Sequence, residues 1–347
     1  MSLTNEQIAE LLAELSDEHE GNKQKAARRA SRKAYGWPRE AAALVEAGES
    51  LKLLPAVGPW VARQIQDWLE DPPEVPAPPA LRSDFMGMAS ARKTLTDEPS
   101  FRDELRGDLQ MHTTYSDGRV SVKEMVIEAI ALGHDYIAVT DHTKGLKIAG
   151  GMTEEVLAEQ LREIDALNRE METGGSDFRV IKAVEMNISP DGSGDMEADA
   201  LDALDLVLGS FHSKLRIKED QTDRYLGNLR NPHVHIVGHP RCRIYNFRLG
   251  LWADWPRVFE EALQLDKAVE INSFPDRQDL NVELLKLVAE AGCRVSIGTD
   301  AHNPTEMHFI EIGCAAAVRA GIAREHIVNF MPYDEVLEWT SSLKANV

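Results

Sequence analysis

Between residues 107 and 299, seven short apolar segments rich in β-branched residues recur: Gly107–His112, Tyr136–Thr140, Arg179–Asn187, Leu206–Phe211, His235–Gly238, Ala268–Asn272 and Arg294–Thr299. The stretches between them carry apolar residues at helical spacing, most clearly Val122–Leu132 and Asn281–Ala291, the latter stopped by Gly292. Strands that alternate with helices pair in parallel. Seven such units predict an α/β fold, a distorted (β/α)7 barrel related to the eight-stranded one, preceded by a small all-helical domain.

Histidines and carboxylates fall where these strands end. His112 and Asp117 follow the first, His142 closes the second, Glu185 the third, His212 the fourth and His239 the fifth. Asp300 and His302 follow the seventh, and the sixth, ending near Asn272, carries none. In a barrel the C-terminal strand ends converge on one face, so residues far apart in the chain meet in one pocket. Imidazole nitrogen and carboxylate oxygen suit zinc, manganese or iron. We therefore expect His112, Asp117, His142, Glu185, His212, His239, Asp300 and His302 to hold two or three divalent ions, with Glu185 bridging two of them. Such ions clamp a phosphate and activate water. His19, His134, His233, His235, His308 and His326 lie outside the pattern and read as structural or surface residues.

The remainder of the chain divides around the segment Asp71–Pro79, Asp-Pro-Pro-Glu-Val-Pro-Ala-Pro-Pro, a stiff linker. Before it, residues 1–70 look helical, with Thr4 and Gln7 as a capping box. Lys23 to Arg39 hold seven basic residues and no acidic one. Leu54–Ala62 looks like the turn of a helix-hairpin-helix, whose backbone N–H groups can meet a DNA phosphate. Residues 71–105 are expected to be linker and irregular connection with one short helix, and 106–347 the barrel. The net charge of −20 disfavours broad attraction to phosphate backbones but leaves room for a local basic face and for bound cations. The three cysteines form no Cys-x-x-Cys pair, and free thiols are expected. The N-terminus lacks a signal-peptide pattern, and no apolar run reaches the roughly 18 residues of a membrane span. A cytoplasmic location is expected, with no membrane partner; oligomeric state is not readable.

Several motifs together resemble the polymerase and histidinol phosphatase (PHP) superfamily, in its order: Asp108–Gly118, Thr140-Asp141-His142, Val184-Glu185, Phe211-His212, Gly238-His239-Pro240 and Thr299-Asp300-Ala301-His302. The resemblance covers roughly residues 106–340. It implies a distorted seven-stranded barrel, a trinuclear metal centre and phosphoester hydrolysis. Asn231–Pro240, Glu270-Ile271-Asn272 and Pro275-Asp276-Arg277 resemble the C-terminal domain of bacterial and archaeal family X DNA polymerases, and the N-terminal part resembles their helical DNA-binding domain. That group is associated with 3′→5′ exonuclease action and 3′-end processing. This sequence departs from it. No palm or fingers intervene, so polymerase activity is not expected. Gln110 replaces a histidine of the first motif, which weakens one metal position or favours manganese. Ala56 stands for a hairpin glycine and Trp60 for a phosphate-binding lysine. Gln64 stands for the lyase lysine, so lyase chemistry is not expected.

The resemblance also implies the grouping of ligands. His112, Glu185 and Asp300, with Gln110 as an optional donor, take one ion. Glu185, His212 and His239 take a second, and Asp117, His142 and His302 a third. Glu185, Asp300 and His212 are assigned catalytic roles. Lys214, Arg216, Arg241 and Arg243 follow ligand-bearing strands and are expected to grip phosphate. Asp108 and Asp141 are expected to orient ligand side chains. The leading substrate is a DNA 3′ end. A histidinol-phosphate or nucleotide phosphatase is the alternative, and a non-catalytic metal-binding DNA adaptor the third reading.

Overall fold

The computed structural model describes residues 2–345. Four helices lead: α1 (Asn5–Asp17), α2 (Gly21–Ala34), α3 (Ala41–Glu46) and α4 (Pro59–Glu70). Thr4 and Gln7 form the reciprocal capping box at α1. The four helices enclose their own apolar cluster around Ile8, Leu12, Trp37 and Ile65. Residues 72–79 carry no helix or strand. The connection beyond them contains two short helices rather than the expected one, α5 (Met88–Asp97) and α6 (Pro99–Asp103). Their apolar residues Met88, Ala91, Leu95 and Phe101 pack into the main barrel cluster, and that burial stabilises them.

Seven strands follow with helices between them: β1 (Gly107–Asp108), α7 (Val122–Ala131), β2 (Tyr136–Val139), α8 (Glu154–Thr173), β3 (Arg179–Asn187), α9 (Ala198–Asp202) and β4 (Leu206–Ser210). The series continues with α10 (Thr222–Arg230), β5 (Ile236–Val237), α11 (Trp255–Gln264), β6 (Ala268–Asn272), α12 (Val282–Ala291), β7 (Arg294–Gly298), α13 (Ile310–Ala320) and α14 (Tyr333–Ala345). All neighbouring strands are parallel, in the order β1 to β7. This is the expected α/β barrel.

β1 is shorter than the sequence suggested. Beyond Asp108 the chain stays beside β7 through irregular contacts: Leu109 N to Ile297 O, Asp300 N to Gln110 O, and a bridge between Met111 and Ala301. The seam is filled by a side chain. Buried Asn329 donates to Gly107 O and Ile297 O, both at 2.8 Å, and accepts from Ile297 N.

Alternation along the strands determines what reaches the barrel mouth. Ile181 and Ala183, Leu206 and Leu208, Ile236 and Ala268 gather inside with Val336 and Trp339 of α14. Ile137, Val139 and Val180 face the opposite way and pack with Met125 and Ile164 of the surrounding helices. Because side chains alternate with period two, the inward row of β3 continues to Glu185 and that of β6 to Glu270 and Asn272. Helix α14 covers the other end, where Trp339 and Lys344 bond the carbonyls of Asp266 and Leu204 just before β6 and β4.

The leading helices sit on loops of the mouth. Tyr245, between β5 and α11, inserts into their cluster and shares a 2.8 Å hydrogen bond with Ser31. Arg32 pairs with Asp276 after β6. Among the described residues, no helix is long and apolar enough to cross a membrane.

Candidate metal centre

The mouth is organised around Glu185, a fully buried carboxylate. Four imidazole nitrogens approach it: His239 Nε2 at 2.7 Å, His142 Nδ1 at 3.2 Å, His212 Nε2 at 3.3 Å and His112 Nε2 at 3.4 Å. His112 Nε2 also lies 3.1 Å from Asp300 Oδ1. Asp117 Oδ1 stands 3.3 Å from His302 Nε2 and 3.7 Å from His142 Nε2. All eight residues expected to act as ligands are thus brought together. The groups compact enough to hold one ion are His112–Asp300–His302, His112–Asp117–His142 and His142–Glu185–His212; none coincides with an expected triad, and His112 and His142 are each shared by two of them.

Local hydrogen bonds leave lone pairs aimed inward. His302 Nδ1 lies 2.8 Å from the Asp300 carbonyl, which can only accept. The ring proton is therefore on Nδ1, and a bare Nε2 faces Asp117. His212 repeats this with Asn187 Oδ1 at 3.3 Å. Lone pairs facing carboxylate oxygens call for a cation between them. Against the opposing effect of burial, the Asp117 and Asp300 carboxylates lift His302 to about 9, and Glu185 raises His239 well above the usual range. Burial instead pushes His142 down to about 3. Asp117 is held at about 2, burial being outweighed by His302, His112 and His142. The donor set, buried nitrogen and carboxylate oxygen, fits divalent zinc, manganese or iron.

His239 and Asp300 adopt positive φ, 24° and 56°. Non-glycine residues pay strain energy there, which the surroundings must offset. For Asp300 those surroundings are Asn272 Nδ2 at 3.2 Å and Arg277 Nε at 3.0 Å, both on Oδ2. For His239 the backbone N–H donates to Glu270, 2.5 Å away. Burial pushes Glu270 up to about 8.

The sixth strand is therefore not empty, as the sequence had suggested. Glu270 and Asn272 end it and support the ligands from β5 and β7. Both belong to the Glu270-Ile271-Asn272 motif, which carries the resemblance without giving either a role. Arg277, in the Pro275-Asp276-Arg277 motif of the following loop, likewise gains its role only where the fold sets it against Asp300. Gln110 is buried between these same residues, with Oε1 3.0 Å from Asn272 Nδ2. With its amide rotated it donates to Glu270 instead.

Asp108 and Asp141 act one step further back than expected, on ligand-bearing loops rather than ligand rings. Asp108 accepts from Thr299 and from the Gln110 N–H. Asp141 accepts from Thr113 N and Oγ1 at 2.8 and 2.6 Å, and from Ser116 and Gln160. It thereby holds the turn that carries Asp117.

Of the four expected phosphate-gripping cations, only Arg216 and Arg241 border a common groove. Lys214 and Arg216 are exposed on the β4–α10 loop, and Arg216 stacks 4.5 Å from the Phe247 ring centroid. Arg241 donates to Leu249 O. Arg243 is a correction. Its guanidinium is buried, bonds the Arg277 and Asp84 carbonyls, and lies 3.7 Å from the Phe85 ring centroid. It fastens the connecting segment to the barrel and is not free to meet substrate. His235, set aside on sequence, is buried with Nδ1 accepting from Val207 N.

The PHP domain model matches residues 108–273. The Bacillus subtilis DNA polymerase/3'-5' exonuclease PolX is 39% identical over 65% of this chain, which spans only 39% of that protein. A probable phosphatase of Syntrophotalea carbinolica is 30% identical over 64% of this chain and 90% of its own length. Among solved structures, the Lactococcus lactis histidinol phosphate phosphatase, complexed with zinc, L-histidinol and phosphate, aligns with a TM-score of 0.45 and 17% identity, covering 70% of this chain and 93% of that one. The chain belongs to the PHP domain family.

Proposed function

We propose that this chain hydrolyses phosphoester bonds at DNA 3′ ends, with two or three divalent ions held by His112, Asp117, His142, Glu185, His212, His239, Asp300 and His302. The observation that carries the metal reading is Glu185, buried among four imidazole nitrogens with both carboxylate oxygens lacking a conventional hydrogen-bond donor. The bound ions would supply Lewis acidity toward phosphoryl oxygens and a water nucleophile usable at neutral pH.

The chain's own residues do the positioning. In the expected grouping Glu185 belongs to two ligand triads and holds them in register. Asn272 and Arg277 fix Asp300, and Glu270 fixes the His239 backbone. Asn187 and the Asp300 carbonyl keep the His212 and His302 rings in the tautomer that presents Nε2 to the centre.

DNA as substrate is supported by the 39% identity to the exonuclease-bearing PolX protein and by helices α1–α4 beside the mouth. We assign residues 1–70 a DNA-tethering role, 71–105 the connection and 106–347 the hydrolytic barrel. Ala56 adopts φ 65°, so the hairpin keeps a glycine-type turn despite its alanine. A small-molecule phosphatase is the second reading. It is favoured by the 90% coverage of the Syntrophotalea carbinolica probable phosphatase, against 39% of PolX.

The test is a parallel Mn²⁺ assay on 3′-recessed duplex, single-stranded DNA and a panel of phosphomonoesters. Alanine variants of Glu185 and Asp300 serve as controls. Turnover of small esters alone refutes the DNA reading. No turnover of anything, with metal retained, refutes the enzyme and favours the adaptor.

A further inference from the structure

We infer that a groove on the His212 and His239 side of the mouth is a track for single-stranded DNA, whose bases stack on Phe247 and Trp252. The inference rests on the DNA reading above and adds where, and in what form, the strand is held. The groove has a volume of 540 Å³. Its lining comes mainly from residues 215–218 of the β4–α10 loop and 241 and 247–252 of the β5–α11 loop. Each of these loops carries a candidate ligand at its start, His212 in one and His239 in the other, though neither residue lines the groove itself.

Two features make this a polyanion site with flat apolar faces. Arg216, Lys218, Arg241 and Arg248 line the groove and no carboxylate does, in a chain of net charge −20. Phe247 and Trp252 are 56% and 57% exposed, far more than large aromatics outside the core need to be. Arg216 already lies over the Phe247 ring. Cations interleaved with exposed rings are the arrangement that binds unpaired bases: the cations follow the phosphates and the rings stack on base faces.

The surface is held in shape before any ligand arrives. Ile244 and Arg248 exchange two 2.9 Å backbone hydrogen bonds. Gly250 has φ 93°, and a Cβ there would meet Arg241 O at 2.7 Å, so the loop folds back tightly. Gln221 N donates to Trp252 O, tying one loop to the other. Phe247 also borders a second cavity lined by Arg28 and Arg32 of α2. Asp17 also lines that cavity, so the run of cations without a carboxylate is confined to the groove itself. A protein partner would use the same apolar faces, but the absence of any groove carboxylate favours the polyanion.

The test is binding of a fluorescently labelled oligo-dT to the full chain, with chelator present so that binding is read without cleavage. Wild type should bind with marked salt dependence. Phe247→Ala and Trp252→Ala should each weaken binding about 10-fold, and Trp252→Phe should retain most of it. Arg216→Ala should flatten the slope of log K against log salt by about 0.7. Leu263→Ala, exposed on α11 away from the groove, controls for general surface effects. Duplex of equal length should bind more weakly, because its bases are already stacked. Absence of salt-dependent binding by wild type, unchanged binding by the aromatic variants, or equal affinity for duplex overturns the inference. The two readings fail separately. With Mn²⁺, DNA hydrolysis indifferent to the aromatic variants removes the groove and leaves the function. Aromatic-dependent binding without hydrolysis leaves the groove and removes the function.

Discussion

Replacing Glu185 by glutamine keeps the shape of the side chain and deletes the charge on which four imidazoles converge. In the proposed grouping Glu185 serves two of three sites, so the variant should lose at least two sites' worth of affinity and keep the Asp117–His142–His302 group. An ion present at 100 times its Kd stabilises the fold by about 2.7 kcal/mol per site. For a domain of this size that is a rise in Tm of roughly 5–10 °C per site. Wild type titrated with Mn²⁺ after chelation should therefore gain well over 10 °C, and Glu185→Gln less than half of that gain. Metal analysis should fall in step, and turnover by at least about a thousandfold, since the ions supply the nucleophile. The chelated forms supply the control for folding. Equal Mn²⁺-induced shifts and equal metal content in the two proteins would refute the assignment of Glu185 as the shared ligand.

Three further outcomes concern stability. Ala56→Gly should raise the unfolding free energy by about 1 kcal/mol in urea, because φ 65° costs alanine what glycine does not pay; a loss would mean that the Ala56 methyl packs usefully. Asn329→Ala should cost about 3 kcal/mol, since three hydrogen bonds at the β1–β7 seam are lost, and a change in Tm below 2 °C would argue against a seam role. Burial pushes the Lys267 ammonium down to about 8 from 10.5. The unfolded chain then binds more protons between these values, so this group's cost, about 3 kcal/mol, is full below pH 8 and relieved as pH rises toward 10.5. Wild type should gain on Lys267→Met between pH 7 and pH 10, and a constant difference between the two would contradict this.

The barrel and most of its centre were legible because both follow from local pattern. β3 and β6 coincide with the expected segments Arg179–Asn187 and Ala268–Asn272, and Gly292 ends α12 in the left-handed conformation its position required. Eight ligand candidates converge because a parallel barrel collects the C-terminal ends of its strands on one face, whatever their separation in sequence.

What remained hidden depends on contacts between distant segments. Glu270 and Asn272 are ordinary strand-end residues until β5 and β7 bring His239 and Asp300 against them. Arg277 becomes the partner of Asp300 only through the path of the β6–α12 loop. Arg243 looked like a phosphate-gripping cation from its place after a ligand strand. The connecting segment buries it under Phe85 and engages it through the Asp84 carbonyl, a contact between residues about 158 apart. The sequence by itself determined which groups stand at the strand ends, since period and side-chain type are local properties. Which of them face the ions, which support the ligands and which are locked away was decided only by tertiary packing, because burial and hydrogen-bond partners come from neighbours in space.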